Sequence, residues 1–125
     1  MKTTAVLVKG TKTLPAAYFE EGRLVIRGRA IKLNQQEWWN RLLQNLNMLQ
    51  ISSKNVRELH IQLEYLNSET NRILMHIFSL VDKINADTEG QIAIKWHCEP
   101  HDEIMLEHIS IFASLIDTPI EIVLE

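Results

Sequence analysis

Apolar and polar residues alternate most plainly over residues 56–65, where Leu59, Ile61, Leu63 and Tyr65 interleave with His60, Gln62 and Glu64. A period of two predicts a strand with one buried face. From about Glu69 to Asn85 the apolar residues return at helical spacing, as Ile73, Leu74, Ile77, Phe78, Val81 and Ile84. Upstream, residues 16–19 and 24–28 read as two strands of a hairpin that turns at Glu20-Glu21-Gly22. Asn34 suits the N-cap of a helix from about Gln35 to Leu49, with Trp38, Trp39, Leu42, Leu43 and Leu46 on its inner face. Downstream come a strand over residues 91–97 and a helix over 102–116 carrying Met105, Ile109, Phe112 and Ile116. Pro119 then opens a last strand with Ile120, Ile122 and Leu124.

The predicted order is β-β-α-β-α-β-α-β. Strands separated by a helix return parallel through right-handed crossovers, and the opening hairpin makes the sheet mixed. Parallel strands covered on both faces read as unbroken apolar runs, but these alternate. Arg27, Gln62, Glu64, Lys95 and Glu121 fall opposite the apolar sets. The expectation is a single two-layer α/β domain over residues 1–125, with helices mainly on one face and the other face largely wet.

Composition narrows the partners more than the fold. The chain has 125 residues, 46% hydrophobic, which suits one domain with a real core. A net charge of −3 without any run of Lys or Arg argues against nucleic acid and anionic membrane. Near the start, Ala5-Val6-Leu7-Val8 is only four apolar residues long, too short for a signal-peptide core or a span. A single cysteine, Cys98, precludes an internal disulfide and fits a reducing compartment. The expected location is the cytoplasm.

Motifs that would announce an enzyme are missing: the sequence has no GxGxxG, GxxxxGK[ST] or GxSxG. The densest polar cluster is Trp96-His97-Cys98-Glu99-Pro100-His101-Asp102-Glu103. His97, Cys98 and His101 offer a metal- or ligand-binding alternative, whereas the plainer reading is a strand end, a turn and an acidic helix start. Trp38-Trp39 offers an aromatic platform, but adjacent helical positions diverge by about 100°, so one is expected in the core and its neighbour at the boundary. Asn67-Ser68-Glu69-Thr70 sets two hydroxyls and a carboxylate at a strand-to-helix junction. One such residue suffices for a cap, and an exposed hydroxyl there is also a good phosphoacceptor.

The chain resembles the SiaC family of bacterial regulatory phosphoproteins, whose fold is similar to the STAS domain. The resemblance spans about Thr11 to Val123 and rests on Thr11-Lys12-Thr13-Leu14-Pro15, on Gly22-Arg23-Leu24 leading to Gly28, and on Leu63-Glu64-Tyr65-Leu66-Asn67-Ser68 opening a helix. Ile94-Lys95-Trp96-His97 and Asp102-Glu103 add to it. It implies a non-enzymatic partner switch without a cofactor or metal. A Ser/Thr protein kinase phosphorylates the hydroxyl after the Asn, and a PP2C-type phosphatase removes the phosphate. The unphosphorylated form binds and stimulates a diguanylate cyclase, feeding cyclic-di-GMP signalling and biofilm regulation. Carried over, the acceptor is Ser68 with Thr70 as fallback, and the partner surface takes in Tyr65, Asn67, Ser68, Glu69, Thr70 and Arg72. The sequence departs from the family where Ser68-Glu69-Thr70 replaces a run of hydroxyls. Only Asn34 remains of the usual segment before the first helix, and His97-Cys98 replaces an aromatic residue.

Overall fold

Six strands form one sheet in chain order: β1 (Thr4–Val8), β2 (Ala16–Glu20), β3 (Arg23–Gly28), β4 (Glu58–Leu63), β5 (Ala93–Cys98) and β6 (Ile120–Leu124). They are seen in a computed structural model that describes residues 4–12, 15–29, 40–42, 56–64, 66, 68–87 and 92–125. The pairs β1–β2 and β2–β3 are antiparallel, and β3–β4, β4–β5 and β5–β6 are parallel. Helix α1 (Ser68–Asp87) crosses from β4 to β5, and α2 (Glu103–Leu115) from β5 to β6. Right-handed crossovers that always step the same way along a sheet stack their helices on one face. The mixed, one-sided α/β sheet read from the alternation is therefore the fold.

Strand β1 is an addition to that reading. Its four-residue apolar run, Ala5-Val6-Leu7-Val8, carries no period that signals a strand. Pairing with the β2 hairpin completes it, and its register slips between Val6 and Val8, a bulge. The predicted first helix, with Trp38, Trp39, Leu43 and Leu46, lies outside the described residues apart from positions 40–42. There Leu42 is fully buried.

The hairpin between β2 and β3 turns at Glu21 (φ 47°) and Gly22 (φ 78°), with Glu20 opposite Arg23. Two successive positive φ values are the signature of a type I′ turn, whose twist matches that of the flanking strands. Glycine takes this conformation freely, whereas glutamate carries a Cβ into it at a cost.

One face of the sheet supplies Ala17, Phe19, Leu24, Ile26, Leu59, Ile61, Leu63, Ile94, Trp96 and Cys98 to the core. Gln62 is only half-buried and Glu64 is exposed, as the alternation requires. Helix α1 contributes Leu74, Ile77, Phe78, Val81 and Ile84, and α2 contributes Met105, Ile109 and Phe112. Their shared centre is aromatic. Phe78 and Phe112 meet edge to face at 5.4 Å and 81°, and Trp96 lies 6.0 Å from Phe78 and 5.5 Å from Phe112.

At the end of the molecule where α1 finishes, polar side chains tie the elements together. Asn85 Oδ1 accepts from Ile92 N (2.6 Å), while Asn85 Nδ2 donates to Ile92 O (3.1 Å) and Thr118 Oγ1 (3.0 Å). Asp82 accepts from the Asp117 and Thr118 amides at 3.0 and 2.9 Å and from the Thr118 hydroxyl. Burial pushes the Asp82 carboxyl up, but these hydrogen bonds outweigh it and hold its pKa below the ordinary value.

Two outcomes follow from this packing. Phe78→Ala opens a cavity between sheet and both helices and should cost about 3–5 kcal/mol; chemical denaturation measures it. Glu21→Asn puts a residue suited to positive φ into the turn and should gain about 0.5–1 kcal/mol, seen as a melting point a few degrees higher.

Candidate functional site

The parallel strands end on a common rim, at Gly28, Leu63, Cys98 and Leu124, and both helices begin there. The Glu64 amide still bonds to Gly28 O (3.0 Å), so the chain leaves the sheet only after Glu64. Ser68 follows as the first residue of α1 and is exposed. Amides in the first turn of a helix have no partner within the helix, and the dipole there favours negative charge. Glu69 occupies that first turn half-buried, and Arg72 is exposed one turn on.

Thr70 behaves differently from its expected place on an exposed corner: it is fully buried. A position two residues along a helix turns through about 200°, which carries Thr70 to the core side when Ser68 faces water. Tyr65 and Asn67, the other residues assigned to the partner surface, lie outside the described residues.

Beside this junction the rim holds a groove of about 600 Å³ lined by Gln62, Leu63, Glu64, His97, Cys98, Glu99, Asp102, Met105 and Glu125. Its lining has four carboxylates and no Lys or Arg, although Arg29 pairs with Glu64 outside it. Asp102 caps α2, accepting from Met105 N at 3.0 Å, as its acidic start suggested.

The metal alternative at His97, Cys98 and His101 is not supported by the geometry. Successive residues of a strand point to opposite faces, so His97 stands on the open face while Cys98 is buried on the helix side. His101 is exposed in the turn beyond. Both ring nitrogens of His97 are engaged, and the Cys98 thiol donates to Glu99 O. Burial first, and the charges of Asp102 and Glu99 after it, push the thiol pKa up, away from the thiolate a metal needs. Among the described residues no group of three or more metal-ligating side chains is gathered.

What His97 does instead is join a chain of contacts across the open face. Glu58 Oε1 meets His60 Nε2 at 2.9 Å, His60 Nδ1 meets His97 Nε2 at 2.8 Å, and His97 Nδ1 meets Glu125 Oε1 at 2.7 Å. The ring centroids are 5.0 Å apart, so with nitrogens this close the rings meet edge to edge rather than face to face. Satisfying all three contacts takes three N–H protons on four ring nitrogens, one more than two neutral rings carry. Lys95 bridges Glu58 (2.9 Å) and Glu121 (3.7 Å) alongside. Sequence alternation placed His60, Lys95 and Glu121 on this face; that His60 meets His97 depended on a register between strands that no local pattern encodes.

No helix among the described residues is long and apolar enough to cross a membrane. The sequence profile described as SiaC family regulatory phosphoprotein matches residues 8–125. The fold superposes on SiaC of Pseudomonas aeruginosa with a TM-score of 0.76 at 21% identity, covering 97% of this chain and 99% of that one. It also superposes on apo-SiaC from the same organism (TM-score 0.77, 22% identity, 94% and 98% covered). A third match is SiaC bound, as activator, to the diguanylate cyclase SiaD of that organism (TM-score 0.75, 22% identity, 92% and 95% covered). No curated protein sequence matches the chain.

The open-face network yields a pH-dependent outcome. Hydrogen bonds from His60 and then Lys95 hold the Glu58 carboxyl down at about 2, against 4.5 for an ordinary glutamate. The folded state thus binds this proton less readily than the unfolded one, so the contribution is present above pH 4.5 and is lost as pH falls toward about 2. Melting curves of wild type and Glu58→Gln should differ at neutral pH and converge across that acid window.

Proposed function

The chain belongs to the SiaC family of regulatory phosphoproteins, and from that premise we propose that it is a non-enzymatic partner switch with Ser68 as its phosphoacceptor. A Ser/Thr protein kinase adds the phosphate and a PP2C-type phosphatase removes it. In the unphosphorylated form the protein binds and stimulates a diguanylate cyclase; the fold it shares with SiaC, seen in complex with the cyclase SiaD as its activator, supports this. The switch works in the cytoplasm, in cyclic-di-GMP signalling.

The observation that carries the reading is the contrast between the two hydroxyls of the junction. Ser68 is exposed at the start of a 20-residue helix, and Thr70 is buried. A kinase must reach the hydroxyl oxygen and afterwards leave a solvated dianion there. Ser68 permits both, and Thr70 would have to leave the core first. A phosphate on Ser68 sits near the free amides of the first helical turn, so modification is compatible with the fold. Its effect falls on the partner instead. About −1.5 to −2 charges join a rim that already carries Glu64, Glu99, Asp102 and Glu125. A partner surface matched to the bare rim then faces added repulsion and a bulky hydrated group. Glu69, Arg72, Tyr65 and Asn67 complete the proposed contact region.

Phosphorylation by the cognate kinase followed by peptide mapping should place the phosphate on Ser68. Ser68→Ala should retain cyclase binding and activation. Ser68→Asp, an incomplete mimic, should bind at least about tenfold more weakly, equivalent to about 1.4 kcal/mol. Undiminished labelling of a Ser68→Ala, Thr70→Ala double variant would show that neither hydroxyl is the switch.

A further inference from the structure

The two edges of the sheet are unlike each other. Strand β1 is interrupted by its bulge between Val6 and Val8, which disturbs the ladder it could offer a neighbour. Strand β6 is regular, and among the described residues no strand pairs with its outer side. Its sequence, Ile120-Glu121-Ile122-Val123-Leu124, has no Pro and no Lys to discourage pairing. Ile122 and Leu124 belong to the core-side set of the sheet, opposite Trp96 and Cys98, yet they are 43% and 56% exposed. Among the described residues, the exposed large apolar side chains other than Val6 of β1 lie on β6 and α2. Ile104, Ile111 and Leu115 of the adjoining α2 are 73%, 53% and 62% exposed, and their spacing of seven and four puts them on one helical stripe.

We propose that β6 is a homodimerisation edge, pairing antiparallel with β6 of a second copy about a two-fold axis at Ile122. The backbone fixes which groups are free. The Glu125 amide donates inward to Cys98 O (3.0 Å). Alternate residues of a strand direct their amide and carbonyl to opposite sides, so those of Ile120, Ile122 and Leu124 point outward. With the axis at Ile122, these three residues meet Leu124, Ile122 and Ile120 of the second copy, each as a hydrogen-bonded pair. On the helix-bearing face the join is apolar throughout. On the open face Glu121 meets Val123 of the second copy and Val123 meets Glu121.

Charge selects this register from its neighbours. Sliding the strands one step in one direction sets Glu121 against Glu121. The opposite slide sets Glu121 against Glu125. Like charges directly opposed are destabilising, and only the register centred on Ile122 avoids them while pairing the whole strand. Glu121 also lies 3.7 Å from Lys95, and Glu125 lies 2.7 Å from His97, so each acid on the edge has an inward partner. The interface is self-complementary, as a two-fold requires.

Sedimentation velocity and light scattering of the full chain across a wide concentration series test the proposal. Wild type should show a concentration-dependent monomer–dimer equilibrium. Val123→Glu opposes a carboxylate to Glu121 twice by symmetry and should weaken the dimer roughly two- to thirty-fold. Val123→Lys should tighten it by a similar factor, with the circular dichroism spectrum unchanged in both. Ile122→Pro removes an amide that has no role in the sheet of its own chain, so it should leave a folded monomer. A wild type that stays monomeric at every concentration would overturn the proposal. So would a dimer indifferent to both Val123 variants, which would place the contact on another face. Phosphate mapping on Ser68 is independent of either result.

Discussion

The contact of Trp96 with Phe78 and Phe112 holds the two layers together. Trp96 comes from the centre of the parallel strands, Phe78 from the middle of α1 and Phe112 from the end of α2. Each ring brings a large apolar area, and tilted or edge-to-face pairs add about 0.5–1.5 kcal/mol beyond it. Both described helices are therefore indexed to one residue of the sheet. Because α1 is seated by Phe78, its first residue is carried to the strand-end rim with Ser68 outward and Thr70 inward. Burying Trp96 has its own cost: its indole N–H finds no hydrogen-bond acceptor among the described residues. The packing of three rings at 5.4–6.0 Å outweighs that penalty.

Much of this architecture was legible in the sequence because it depends on local periodicity. Leu59, Ile61 and Leu63 against His60, Gln62 and Glu64 gave both the strand and its two unequal faces. Ile77 and Phe78 marked the inner side of α1, and the acidic stretch Asp102-Glu103 marked where α2 begins. Strand β1 was not legible, since five residues with no pattern of their own become a strand only when a hairpin edge is present to pair with them. The exposure of Ile122 and Leu124 was hidden for the related reason that alternation reports a face, not a position at the edge of a sheet.

The candidate site divides in the same way. The junction at Ser68 announced itself through residue type and through family resemblance. The burial of Thr70 follows from helical phase, which depends on where the first turn begins. At His97, Cys98 and His101 the plainer reading of a strand end, a turn and an acidic helix start holds, and the metal alternative does not, because neighbours in sequence are not neighbours in space along a strand. His97 found its partners 37 and 28 residues away, in His60 and Glu125. Composition showed the ingredients of that network but not the parallel register that assembles it.

The sheet runs in chain order, so every strand lies beside its sequence neighbour. No strand has to be threaded between two others already in place, and the assembly can grow outward from β4, α1 and β5, which bring Leu59, Ile61, Leu63, Phe78 and Trp96 to the core. Each later strand docks on a finished edge, much as a zip closes from its middle. Opening runs the other way, from the rims of the sheet inward, and local unfolding of this kind is graded rather than uniform. The outermost strands can then be exchanged, covered or lost while the rings at the centre stay packed and Ser68 keeps its place.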